Sequence, residues 1–107
     1  MAKPLRGKHS ELWIGLAKVI PSNSSSDILG DAEGAYTNAI GLAVNKAKFR
    51  LQVKEALAEL GLLLIRRENS ERLEDRSAKY VIDQELKKVA TKARVSNRIM
   101  FGTFHAF

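Results

Sequence analysis

The chain has 107 residues, 45% of them apolar and 28% charged, which is enough for one conventional core and leaves no room for a second domain. It has no cysteine, which excludes disulfides, thiolate catalysis and cysteine-ligated zinc or iron–sulfur sites. A net charge of +6 points toward nucleic acid, the ribosome or an acidic protein surface as partner, without choosing among them.

Residues 1–10 carry Lys3, Arg6 and Lys8, no acid and no apolar period, and read as a basic arm preceding a single domain over 11–107. Glu11 and Lys18 bracket only six apolar or glycine residues, far short of the ~20 needed to span a membrane. The expectation is a cytoplasmic protein without a membrane segment. Glu11 to Ile20 reads as a first strand, with Leu12, Ile14, Leu16 and Ile20 on one face and Trp13, Gly15, Ala17 and Val19 on the other. Both faces are largely apolar, as in a central or well-covered strand, and Pro21 ends it by withholding a ladder donor. Ser22 to Glu33 is polar and turn-rich and predicts a long loop. Within it Gly30-x-x-x-Gly34 lacks the Gly-Lys-Ser/Thr that would reach phosphates and magnesium, so no phosphate loop is read there.

Ala35 to Val44 predicts a second strand, and Asn45 the start of a helix. Phe49, Val53, Ala56, Leu57 and Leu60 fall at i, i+4, i+7, i+8 and i+11, one stripe of a 3.6-residue helix. Gly61 stands where a left-handed residue ends it, and Leu62 to Ile65 is a short apolar run of strand length. This is a strand–helix–strand unit, whose two strands run parallel in one sheet. Val44 to Lys46 lies at the C-terminal end of its first strand, where open parallel sheets commonly bind ligands.

Arg66 to Arg76 mixes four arginines with four acids and reads as a charged segment. Ala78, Ile82, Leu86, Val89 and Ala93 then predict the buried stripe of a second helix, with Ser77 or Asp75 as N-cap. Ile99 to Phe107 predicts a last strand. The expected fold is α+β: a two-layer sandwich with a four-stranded mixed sheet and two helices, in the order β-β-α-β-α-β.

Candidate chemistry is sparse. His9 and His105 have no second ligand at metal-binding spacing, and the acids Glu68, Glu71, Glu74 and Asp75 are interleaved with arginines, which favours solvated ion pairs over general acid–base work. No catalytic residue, metal or cofactor is expected. Arg98 to Phe104 has the Phe-Gly of an RNA-recognition motif but a threonine where the motif needs an aromatic, so Phe101 and Phe104 read as core. The unusual feature lies in the first helix. Lys46, Lys48, Arg50 and Lys54 occupy its start while Glu55 and Glu59 occupy its end, against the helix macrodipole. At 100° per residue Lys46, Arg50 and Lys54 form one ridge, with Leu51 in a small apolar strip beside it. These four residues are the candidate partner-binding set. The alternative set, for nucleic acid, is the basic run Lys87, Lys88, Lys92, Arg94 and Arg98 in and after the second helix.

Three stretches, Trp13-Ile14-Gly15-Leu16-Ala17, Gly34-Ala35-Tyr36-Thr37-Asn38 and the Phe49 to Leu62 helix-and-stop pattern, together resemble the layout of small bacterial immunity-type proteins over about residues 11 to 76. That resemblance implies a non-enzymatic module that neutralises a toxin by binding it; it carries no residue roles. The reading is therefore a protein-binding module whose partner is a toxin domain, with a small basic nucleic-acid-binding protein as the alternative.

Overall fold

In a computed structural model, residues 10–21 and 33–106 are described, with the backbone alone over 67–69. The predicted basic arm, but for Ser10, and the predicted loop, but for Glu33, lie outside the described residues. The elements are β1 (Glu11–Pro21), β2 (Ala35–Ala43), α1 (Lys46–Glu59), β3 (Leu62–Arg72), α2 (Leu73–Lys79), α3 (Gln84–Ser96), β4 (Met100–Phe101) and β5 (His105–Ala106). The class is α+β, but among the described residues there are five strands and three helices where four and two were expected.

The sheet runs β3-β1-β2-β4, with β5 also on β2, and every hydrogen-bonded pair is antiparallel. This corrects the mixed sheet. The strand–helix–strand unit is present in split form: β2 and β3 run the same way, each antiparallel to β1, which lies between them. Because no two parallel strands are neighbours, the ligand-binding rule for open parallel sheets gives no reason to favour the Val44 to Lys46 junction.

The apolar character of both faces of β1 is explained by helices on both sides. One core cluster joins Ala17, Val19, Ala35, Ala39 and Ala43 to Phe49, Val53 and Leu57 of α1; the other joins Leu12, Ile14 and Ile40 to Val89, Ala90 and Ala93 of α3. Strand side chains alternate between faces, so on β1 and β2 odd positions meet α1 and even positions meet α3, while on β3 Leu62 and Leu64 meet the α1 side. The architecture is helix, sheet, helix: three layers, not two.

α1 begins as its sequence predicts. The Asn45 side chain accepts from the Lys48 amide at 2.8 Å, and Gly61 follows the helix at φ 75°, a conformation that favours glycine. Phe49, Val53 and Leu57 are buried, and the Phe49 ring stacks on Trp13 with centroids 6.3 Å apart. Leu60, expected in the stripe, is exposed.

Three corrections follow from the charged stretch. β3 does not stop at Ile65 but continues through it to Arg72, since ladder hydrogen bonds to β1 need only the backbone. β3 lies at the edge of the sheet, where Arg66 is exposed and Glu71 and Arg72 are half-buried in ion pairs. Leu63 and Ile65, expected in the core, lie on the face of β3 away from α1 and are 49% and 48% exposed, whereas Leu62 and Leu64 pack on the α1 side. Finally, the predicted second helix is two helices. Tyr80 turns extended after α2, and Asp83, whose side chain accepts from the Leu86 amide at 2.8 Å, caps α3. Neither Ser77 nor Asp75 is that cap, and Ala78 is exposed on α2.

The last strand is interrupted between β4 and β5. Ala39 faces Phe101 and Tyr36 faces His105, so four steps on one strand oppose three on β2, the count of a one-residue bulge. The buried Thr37 hydroxyl donates to the Gly102 carbonyl at 3.2 Å and the Gly102 amide donates to Asn38 O at 2.9 Å, holding the bulge in place. The extra residue puts both Phe101 and Phe104 against the α1-side cluster, with ring centroids 5.9 Å apart. These aromatics are packed inward, not displayed as a base-stacking platform.

Candidate partner-binding faces

On α1 Phe49, Val53 and Leu57 are buried against the sheet, and the basic ridge flanks that stripe. Lys46, Arg50 and Lys54 are all exposed, and Leu51 beside them is 50% exposed. No described acid lies in salt-bridge range of these three cations. Of the acids in the predicted loop that could serve these cations, Asp27 and Asp31 lie outside the described residues and Glu33 is exposed. The first turn of α1 holds no acid and its last turn no base, so its charges oppose the partial charges of the helix ends. All four residues of the candidate set are thus exposed to solvent.

α3 differs. Val89, Ala90 and Ala93 are buried, and Lys87, Lys88, Lys92 and Arg94 are exposed with no described acid in salt-bridge range. Its charges follow the dipole, with Glu85 in the first turn and Arg94 in the last. Asn97, left-handed at φ 58°, caps the end. Arg98 lies past it and approaches Glu59 of α1 at 3.9 Å, a pair almost entirely in water. The alternative set is therefore divided: four cations project from α3, and the fifth bridges toward the other helix.

Of the acids interleaved with arginines, Glu71 and Asp75 form ion pairs. Arg72 donates to Asp75 at 3.0 and 3.2 Å and to Glu11 at 3.5 Å. Glu71 accepts from Arg76 and pairs with Lys79 at 2.8 Å. Hydrogen bonds from Lys79 and Arg76 hold the Glu71 carboxyl below the usual carboxylate range, and Glu71 in turn raises Lys79. Asp75, with Glu11, likewise favours charged Arg72. These contacts join α2 to β3 and to the start of β1. His105 is exposed on β5.

Among the described residues no group of three or more His, Asp or Glu side chains is placed to hold a metal, and no helix is long and apolar enough to cross a membrane. Leu73, Glu74 and Ser77 of α2 line a cleft of about 680 Å³ against α3 that sequence reading missed, because this stretch read as a charged segment leading into a single helix. The available signal was Asp83, three residues before Leu86 and able to cap a separate helix. Comparisons of the chain with protein-family models, curated proteins and solved structures give no match.

Proposed function

We propose that this chain is a non-enzymatic binding module for a protein partner, acting in the manner of an immunity protein: it neutralises a bacterial toxin in the cytoplasm by covering it. The observation that carries this reading is the outward face of α1. Lys46 and Lys48 sit where the helix end already bears partial positive charge, and each misplaced exposed charge there costs about 0.3–1 kcal/mol at low salt. Nothing described in the molecule compensates that cost. An anionic surface on a partner does, and Leu51 supplies an apolar contact amid the cations. Electrostatic complementarity of this kind speeds encounter and excludes wrong partners.

The test is capture of a partner from the host by the wild-type chain and by a K46E/R50E/K54E variant, at low and high salt. One stoichiometric protein, retained by the wild type, lost by the variant and released by salt, supports the reading. Its toxicity on expression alone, relieved by co-expression of this chain, identifies it as the toxin. Recovery of ribosomes or RNA instead, or capture indifferent to the variant, overturns the reading.

A second reading, nucleic-acid binding through α3, is favoured by Lys87, Lys88, Lys92 and Arg94, exposed and without a described acid partner. An absorbance ratio indicating co-purified nucleic acid, abolished by high salt, favours this alternative.

A further inference from the structure

The cleft between α2, α3 and the start of β1 lies across the sheet from α1 and plays no part in the α1 reading, though Lys87 and Arg94 on its rim also belong to the α3 set. Its floor is apolar, built from Leu12, Leu73, Ile82 and Ala90. Lys87 and Arg94 stand on the α3 rim, seven residues apart and therefore on one side of the helix, about 10 Å apart along its axis. Glu11 and Glu74 stand on the opposite wall.

Two hydroxyls between the walls have already spent their protons. Ser77 Oγ donates to Glu74 O and Thr91 Oγ1 donates to Lys87 O, each at 3.0 Å. Toward the cleft both therefore offer lone pairs only. The site thus presents an apolar floor, two cations on one rim, and acceptors and carboxylates facing them.

We infer that this cleft receives an amphipathic helix of a partner protein, its apolar stripe on the floor and two of its acidic side chains, one every seven residues, against Lys87 and Arg94. The volume is within the usual range for a binding cleft, and docking of an apolar helix face into a groove is a recurrent mode of recognition. The i, i+7 spacing of the two cations matches acids two turns apart on a helix lying alongside α3. A nucleic-acid backbone fits poorly, because its phosphates would meet the carboxylates of Glu11 and Glu74 and would leave the apolar floor uncovered. Backbone amides at the first turn of the incoming helix have acceptors in Ser77, Thr91 and Glu74.

The probe is a synthetic 14-residue amphipathic peptide with a leucine stripe flanked by glutamates seven residues apart, and a control with lysine in place of each glutamate. Titrated into the isotope-labelled full chain, the glutamate peptide is expected to shift the resonances of Leu12, Leu73, Ile82 and Ala90, and the lysine peptide to bind at least tenfold more weakly. The K87E/R94E variant weakens the glutamate peptide at least tenfold, while K88E/K92E, on the same helix but away from the cleft, leaves its affinity within about twofold. Ser77→Trp, an exposed position that fills the cleft without altering its charge, abolishes binding; an unchanged melting curve for each variant keeps loss of fold from imitating loss of binding. No shifts at millimolar peptide, equal binding by both peptides, shifts confined to α1, or displacement by an RNA or DNA duplex overturns the inference. Because the α1 variant K46E/R50E/K54E leaves this titration unchanged, failure here and failure of the α1 reading are separable.

Discussion

α1 and α3 lie on opposite faces of one sheet, each with a side-chain cap at its first turn and a basic outer surface, yet their surfaces have different origins. In α3 the arrangement of charge serves the helix: acid at the start, base at the end. In α1 it opposes the helix at both ends. A basic face that agrees with its own macrodipole needs no explanation outside the fold, whereas one that opposes it does. The seats differ as well. α1 rests on Phe49, Val53 and Leu57, while α3 rests on Val89, Ala90 and Ala93. Small residues let α3 approach the sheet closely and give each contact little area to lose.

The largest contrast to test is therefore in the seats. Phe49→Ala removes a ring that is 1% exposed and stacked on Trp13, and is expected to cost about 3–5 kcal/mol in urea denaturation. Val89→Ala removes two methyl groups and is expected to cost about 1.5 kcal/mol. Equal losses at the two positions would mean that the two layers are not seated differently.

The caps should behave alike. Asn45→Ala and Asp83→Ala each remove the acceptor of a first-turn amide, at 2.8 Å in both cases, and each is expected to cost about 1 kcal/mol. Loss of helix ellipticity confined to one variant would break the equivalence.

Attachment of α2, which joins the α3 side of the sheet to β3, should depend on pH. The Glu71 carboxyl is held low by Lys79 and Arg76, so its stabilising contribution is complete above about pH 4.5 and is lost as acid protonates it. Lys79 is raised, so its contribution is complete below about pH 10.5 and is lost in stronger alkali. Denaturation midpoints measured across pH should fall at both limits, and Glu71→Gln should flatten both.

The smallest effect is the most specific to the comparison. K46E/K48E is expected to raise stability by a few tenths of a kcal/mol up to about 1 kcal/mol at low salt, and K92E/R94E to lower it by a similar amount, with both differences shrinking as salt rises. A loss of stability in the α1 variant would show that those cations serve the fold, and the case for a partner on that face would fall.

What the sequence determined by itself is what local chemistry encodes. Asn45, the stripe of Phe49, Val53 and Leu57, and Gly61 define α1 almost to the residue, because caps, 3.6-residue periodicity and a left-handed stop act within one or two turns. The doubly apolar β1 likewise marked a strand covered on both sides, and the inverted charges of α1 were legible before any fold was known. What only the tertiary structure decided was where each element's surroundings lie. Leu63 and Ile65 read as core yet are half exposed, since burial depends on whether a helix covers that part of the sheet. Arg66 to Arg72 reads as a charged segment yet forms a strand, since ladder pairing with β1 draws on the backbone alone. Insertion of β1 between β2 and β3 makes every neighbouring pair antiparallel, and pairing partners distant in sequence leave no local trace. The cleft between α2 and α3 arises for the same reason: its walls come from three elements, and only their packing brings Leu12, Glu74 and Arg94 around one space.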